Sequence, residues 1–246
     1  MGPREFHEEI SSTQDRATAL AREGSEEGTL VVARRQSRGR GRGGRSWSSP
    51  EGGLYASIVL RTPPEPATWL ALGIGAFLGR DLRDRYGVPV RVKWPNDLLA
   101  APAGRRPRKL AGILVDVVPS PSLGQASVAG IGVNVRAPPD SFPEELLERA
   151  ASLDEFVTPP PSLEEVERLV VDAALAARRG LFTPDGAASV RRSCEELLYG
   201  VGRSVTVDGV RFGRIATLGE DGALLVDEGE QRHVVRSGVV EVEGEA

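Results

Sequence analysis

Residues 38–53 read RGRGRGGRSWSSPEGG, and the fold turns on what those arginines and glycines lead into. The first eight positions hold four arginines and four glycines, in a chain of 246 residues whose formal net charge is -4. Gly39, Gly41 and Gly44 satisfy G-x-G-x-x-G, and Gly39 to Ser46 nearly satisfies the phosphate-loop pattern, with Arg45 where lysine belongs. Both of those sites need a helix directly after the glycines, its N-terminus facing the phosphates. Pro50 and the Gly52-Gly53 pair refuse a helix there, so neither a dinucleotide-binding nor a phosphate-loop fold is expected. The flanks predict strands instead. GTLVVARRQS (28–37) is rich in β-branched residues and LYASIVLRT (54–62) alternates, which puts the loop at the tip of a long hairpin.

Six arginines lie from Arg34 to Arg45 without one acid between them, and at close range they repel unless an anion joins them. Glycines let the backbone wrap closely and guanidinium forks grip phosphate oxygens pairwise, so the loop reads as a clasp for a small polyanion. An Arg/Gly segment that binds nucleic acid is the competing reading. The segment's shortness, the acidic chain and an aromatic content of 5% weigh against it, and binding that weakens steeply with salt would decide.

Working outward, SSTQDRATALAREG (11–24) opens on hydroxyls, has Asp15 three places after Ser12 and ends on glycine, as a capped helix does. Residues 66–86 carry Trp69, Leu70, Ile74, Phe77, Leu78, Leu82 and Tyr86 at helical spacing and stop at Gly87. VPVRVKW (88–94), KLAGILVDVV (109–118) and ASVAGIGVNV (126–135) predict adjacent sheet strands, two of them covered on both faces, with the loop AAPAGRRPR (100–108) between the first two. Helices are predicted at PEELLERAASL (143–153), SLEEVERLVVDAALAARRGLF (162–182) and PDGAASVRRSCEELL (184–198). From about Val201, turn signals at Asp208-Gly209, Asp221-Gly222 and Glu228-Gly229 separate five short strands expected to close a small barrel. The expected division is a large unit over 1–198 and a small one over 199–246.

Composition sharpens the reading. Lys93 and Lys109 are the only lysines among 31 basic residues, and Asn96 and Asn134 the only asparagines. Lysine is a compact point charge that arginine cannot imitate, so lysines that persist in so arginine-rich a chain draw attention. No apolar run approaches the ~18 residues of a membrane span, and the N-terminus lacks the apolar centre of a signal peptide. The lone Cys194 cannot pair within the chain, and His7 and His233 lie far apart, so neither a zinc site nor a Cys/His or Ser/His pair is supported. A reducing, cytoplasmic setting without a membrane is expected.

GRGRGGRSW (39–47), KWPNDLL (93–99), KLAGILVD (109–116) and GIGVNV (130–135), in this order, resemble biotin protein ligase (biotin–acetyl-CoA-carboxylase ligase). The motifs span Ser12 to Val135, and the β-rich tail is similar to that family's small C-terminal domain. The resemblance implies an α+β fold: a mixed sheet flanked by helices, akin to class II aminoacyl-tRNA synthetases, followed by a Src-homology-3-like barrel. It implies an ATP-dependent ligase that makes biotinyl-adenylate and passes biotin to a lysine of the biotin carboxyl carrier protein. Biotin and ATP are then substrates, Mg2+ a cofactor, and nucleic acid no partner; a homodimer is admitted. Family members that repress transcription carry an N-terminal winged helix-turn-helix, whereas the catalytic motifs begin at once here, so no DNA-binding domain or repressor function is expected. A lipoate or octanoate ligase or transferase of the same fold is the nearest alternative.

The site residues follow by resemblance. Ser12, Thr13, Gln14, Gln36, Arg40, Gly41, Arg42, Lys109, Gly112 and Gly130 match biotin-binding positions, although Gln14 stands where the family has asparagine. Arg40, Arg42, Arg45, Trp47, Lys93, Trp94, Asn96, Lys109 and Asn134 match positions around ATP and the adenylate. Lys109, Arg42 and Asp97 are the catalytic candidates: Lys109 brings an ammonium between the biotin carboxylate and the α-phosphate, Arg42 closes the loop, and Asp97 positions or deprotonates the acceptor lysine or helps to hold Mg2+, for which Asn134 is a second candidate. Without the resemblance, Ser12 reads equally as a helix cap, Gln36 as a loop polar residue, Lys109 as a strand-end side chain reaching solvent and Asp97 as a turn former. Gly130 and Gly132 would let a ligand approach the backbone closely.

Overall fold

The structure, a computed structural model, describes residues 2–102, 104–138 and 141–244. Seven strands form one sheet: β1 (Arg4–Ile10), β2 (Leu30–Gln36), β3 (Gly53–Arg61), β4 (Val90–Lys93), β5 (Asp97–Ala100), β6 (Arg108–Ser120) and β7 (Gly124–Asn134), in the order β1-β2-β3-β7-β6-β5-β4. β1 pairs parallel with β2 and the other neighbours are antiparallel, so the sheet is mixed. β2 and β3 form the expected hairpin, with Leu30 opposite Ile58 and Ala33 opposite Tyr55.

Alternation along the central strands sends side chains to two cores. Leu30, Val32, Ile58, Leu60, Ala129 and Ile131 face a large core with α2 (Ala67–Tyr86), α3 (Leu163–Gly180) and α4 (Pro184–Leu197). Val31, Val59, Ala126 and Val128 face a small core under α1 (Thr13–Glu23). Burial on both faces explains the nearly unbroken apolar runs. Ser12 caps α1 by accepting from Asp15 N, and Ser162 and Glu165 form a reciprocal box at the start of α3.

Two strands and one helix differ from expectation. β1, with the sequence REFHEEI, carries its acids at the sheet edge, where Glu9 lies opposite Arg35 in register and binds it at 2.9 Å. Its charge hides it from a reading by hydrophobic alternation. β5 is four residues long and follows β4 after a short turn, too short for alternation to mark it. Residues 143–153 form no α-helix: 3-10 turns occupy Glu144–Leu146 and Leu153–Glu155, and the segment between them pairs with β6. Lys109 N donates to Arg149 O at 2.6 Å and Ala151 N to Lys109 O at 2.8 Å, which draws that backbone out straight.

The tail forms a second, antiparallel sheet from β8 (Ser204–Val207), β9 (Val210–Leu218), β10 (Leu224–Glu228), β11 (Gln231–Val235) and β12 (Val240–Val242), ordered β11-β10-β9-β8-β12. The two sheets share the large core. The Asp221-Gly222 turn docks on two of the three tryptophans: Trp69 Nε1 donates to Glu220 O and Trp94 Nε1 to Gly222 O, each at 2.8 Å. Among the described residues no helix is long and apolar enough to cross a membrane.

Helices α2, α3 and α4 meet at Gly73, where a β-carbon would lie 2.8 Å from Val190 Cγ1 and 3.2 Å from Ala177 Cβ. Gly73→Val should therefore cost ~1–3 kcal/mol by overpacking, read as a lowered denaturant midpoint with an unchanged slope.

Candidate active site

A cavity of about 300 Å³ opens where the hairpin loop folds back over β6 and β7. Its size suits a small organic ligand. No α-helix follows the loop; the chain passes into β3, which disposes of the dinucleotide and phosphate-loop readings. The loop is a tight finger. Trp47 N donates to Gly39 O at 2.9 Å, Gly41 N to Arg45 O at 2.7 Å, and a 3-10 turn spans Arg42–Gly44. Gly43 and Gly44 take φ of 67° and 76° at the tip, a region that side-chain-bearing residues rarely enter.

Part of the wall is a neutral, buried polar network. Gln14 Nε2 spends its hydrogens on Asp116 Oδ2 at 3.1 Å and Val128 O at 3.0 Å, which turns Gln14 Oε1 toward Ser57 Oγ, 3.2 Å away. Ser57 thus donates to Gln14 and is left to accept from Thr13 Oγ1 at 2.9 Å. Thr13 Oγ1 also lies 3.0 Å from Gln36 Oε1, which already accepts from Thr13 N at 2.8 Å. Thr13 has one hydroxyl hydrogen for two acceptors, so one of them keeps an open lone pair that an incoming N–H would fill. Gln36 Nε2 is anchored on Ser49 Oγ at 2.8 Å.

The remaining wall is cationic. Arg42, Arg45, Lys109 and Arg149 all line the cavity. Lys109 Nζ sits 2.7 Å from Asp97 Oδ1 and 4.9 Å from the centre of the Trp47 ring. Arg42 reaches out of the hairpin to the second sheet: its Nη1 donates to Gly238 O at 3.2 Å, and its guanidinium lies 5.9 Å from the Trp94 ring centre. Two glycines paired across the strands, Gly112 and Gly132, make a flat platform on which the Trp47 indole rests. A β-carbon would come within 2.7 Å of that ring at Gly112 and 2.5 Å at Gly132. The indole Nε1 is buried without a hydrogen-bond partner, as is Asn134 Oδ1, so the cavity presents an orphaned donor and an orphaned acceptor beside Asp97 Oδ1, whose contact is the ion pair with Lys109.

Of the expected residues, Thr13, Gln14, Gln36, Arg40, Gly41, Arg42, Arg45, Trp47, Asn96, Asp97, Lys109, Gly112, Gly130 and Asn134 line the cavity. Ser12 serves as the α1 cap, and Lys93 and Trp94 lie outside the lining, Trp94 buried against the Gly222 turn. Asn96 Nδ2 is committed to Ile113 O at 2.8 Å and Asn134 Nδ2 to Ala151 O at 3.0 Å. What approaches Gly130 and Gly132 in the structure is protein, Gln14 and Trp47. Ser57, Tyr55, Phe142, Leu146 and Arg149 also line the cavity and are not among the expected residues. Ser57 was visible as a polar residue inside an apolar strand; Arg149 and Leu146 were hidden in the misread helix. As for a metal, Asp97 is taken by Lys109, and among the described residues no group of three or more His, Cys, Asp or Glu is placed to hold an ion.

Arg34 lies 3.3 Å from Glu8 and 3.7 Å from Glu51, Arg35 is paired with Glu9, and Arg40 lies 3.0 Å from Asp15 and 3.2 Å from Asp116. Acids from β1, α1 and β6, with Glu51 just beyond the loop, surround these three, so no anion is needed to gather them.

The family model for the biotin/lipoate A/B protein ligase family matches residues 6–134. The chain is 30% identical over 247 residues to the bifunctional ligase/repressor BirA of Bacillus subtilis (strain 168), an alignment covering 96% of this chain and 73% of that protein. It is 34% identical over 140 residues to the biotin–[acetyl-CoA-carboxylase] ligase of Paracoccus denitrificans, covering 54% of this chain and 52% of the relative. Among solved structures, the biotin protein ligase from Aquifex aeolicus in complex with biotin and ATP superposes with a TM-score of 0.80 at 29% identity, covering 99% of both chains.

Gly132→Val should push the Trp47 indole off its platform. The expected result is loss of the near-ultraviolet circular dichroism contributed by Trp47, identified by difference from Trp47→Phe, with far-ultraviolet signal retained.

Proposed function

Given that the chain belongs to the biotin/lipoate A/B protein ligase family, we propose that it is a biotin–protein ligase, which activates biotin with ATP and then biotinylates a lysine of a biotin carboxyl carrier protein. The observation that carries the reading is the division of one cavity into a neutral hydrogen-bonding wall and a cationic wall, with Lys109 among the cations. The ureido ring of biotin offers a carbonyl acceptor and two N–H donors, which suits the Thr13, Gln14, Gln36 and Ser57 network. The dithiolane of lipoate offers neither and would leave those buried groups unpaired, so the lipoate reading is disfavoured.

In the first step a biotin carboxylate oxygen attacks the α-phosphorus of ATP and the bond to pyrophosphate breaks. Lys109 stands between the two anions, and its ammonium counters the charge that builds in the transition state. Asp97 holds that ammonium at 2.7 Å. Arg42 and Arg45 close on the phosphate, and Arg40 and Gly41 lend the finger its backbone. Trp47, Asn134, Phe142, Leu146 and Arg149 are assigned to the nucleotide, with Trp47 Nε1 and Asn134 Oδ1 as the unpaired donor and acceptor. Gly112 and Gly130 keep the floor low beside biotin. In the second step the neutral amine of the carrier lysine attacks the acyl carbon, AMP leaves, and Asp97 receives or directs the departing proton. Mg2+ belongs to this reading as the companion of the ATP phosphates. Ser12 acts by fixing the start of α1; Trp94 acts by holding the β4–β5 turn against the second sheet, and Lys93 and Asn96 by closing that turn and tying it to β6.

The two units are read as 1–198, a catalytic domain akin to class II aminoacyl-tRNA synthetases, and 199–246, a Src-homology-3-like barrel; five short strands with tight turns support the latter. A cytoplasmic setting accords with a lone cysteine, Cys194, whose burial pushes its thiol pKa up.

Purified protein should release pyrophosphate only when biotin and ATP are both present. Lys109→Ala should lower that rate ~10²–10³-fold, the scale of losing one preorganised charge, with a nearly unchanged melting temperature; wild-type turnover in the variant would remove Lys109 from the mechanism. Arg42→Gly should let adenylate escape and label bystander lysines, read by blotting against an inert acceptor protein.

A further inference from the structure

Asp116 has no place in the roles above, yet it lies where two of them meet. Its Oδ2 accepts from Gln14 Nε2 at 3.1 Å, and the same oxygen stands 3.2 Å from Arg40 Nη1. Arg40 Nη1 also donates to Asp15 Oδ1 at 3.0 Å. One carboxylate oxygen on β6 therefore joins an amide in the polar wall to the first guanidinium of the arginine finger, and Asp15, next to Gln14 on α1, completes the clamp. Gln14 cannot turn away freely, because its second amide hydrogen is held by Val128 O at 3.0 Å. The side chains of Arg40, Asp15 and Asp116 are 42%, 57% and 30% exposed, so water screens the clamp and it biases an opening equilibrium several-fold rather than locking it. That strength suits a finger that must open in every turnover.

We propose that Asp116 is a positioning residue that couples occupation of the polar wall to closure of the arginine finger. When a ureido group engages Ser57, Thr13 and Gln14, the Gln14 amide is held, Asp116 is held by it, and Arg40 is held by Asp116. An empty wall leaves Gln14 freer and the finger easier to open. The coupling rests on the biotin reading; the clamp itself does not.

Trypsin cleaves after arginine, and Arg42 and Arg45 lie beyond the clamp, so the initial rate of cleavage at those two bonds in the native full chain reports opening without any substrate. Asp116→Asn and Asp15→Asn should each raise that rate about threefold or more, with melting temperatures within about 2 °C of wild type. Asp116→Glu should restore most of the protection. Biotin alone should protect the wild-type finger and protect the Asp116→Asn finger several-fold less. Arg40→Gln, which loses both carboxylates, should raise the rate at least as far as Asp116→Asn, and adding Asp116→Asn to it should change little, because partners in one contact are not additive. Equal cleavage in wild type and Asp116→Asn overturns the proposal, as does additivity in the double variant or equal protection of both chains by biotin. If Asp116→Asn does not fold, Arg40→Gln carries the same expectation from an exposed position. Failure of the wild type to release pyrophosphate with biotin and ATP would mark the loss of the biotin reading. A working enzyme with an indifferent Asp116 would mark the loss of this proposal alone.

Discussion

The antiparallel pairing of β6 with β7 is the constraint on which everything else in the molecule leans. Ten residue pairs run from Ala111 opposite Val133 to Ser120 opposite Gly124. Lys109, Gly112 and Asp116 come from one strand and Gly130, Gly132 and Asn134 from the other, so a single register sets the platform, the ammonium and the polar wall relative to one another. A slip of one residue would turn the residues of one strand to the face opposite those of the other. The ladder resists such a slip because both faces are buried, one against α2 and one under α1.

Magnitudes separate what holds the fold from what arranges the site. Each fully buried Leu, Ile or Val contributes ~1.5–3 kcal/mol, and side chains such as Leu30, Ile58, Leu70 and Leu98 are wholly inaccessible. The ion pairs are mostly half exposed and worth ~0–1 kcal/mol apiece. They add little to stability, yet they decide where Lys109, Arg40 and Arg35 point. The site is thus a weakly held arrangement of charges on a strongly held floor, which allows the arginine finger to move without endangering the sheet.

Much of this was legible beforehand, for identifiable reasons. The β2–β3 hairpin, α2 and the two central strands follow from period and from Pro50 with Gly52-Gly53, because burial on known faces imposes a pattern. The four motifs placed most of the cavity lining. Illegible parts share a cause: their conformation is imposed by partners distant in sequence. β1 carries Glu8 and Glu9 because it pairs with Arg34 and Arg35, so its charge disguises a strand. Residues 149–151 are drawn out by Lys109 although PEELLERAASL has helical spacing. Even the arginine excess misled in part, since it invited a bound anion where protein acids already served.

Arg42 and Gly238 are 196 positions apart, and their hydrogen bond ties the finger to almost the last turn of the chain. Domains generally condense as they leave the ribosome, N-terminal parts first. A nascent chain could complete its first sheet and its vitamin pocket while the tail is still being synthesised, but the finger would then lack its far anchor. The finger thus gains its far anchor only once the stretch around Gly238 has been made and folded, so the closure proposed above waits on the second sheet.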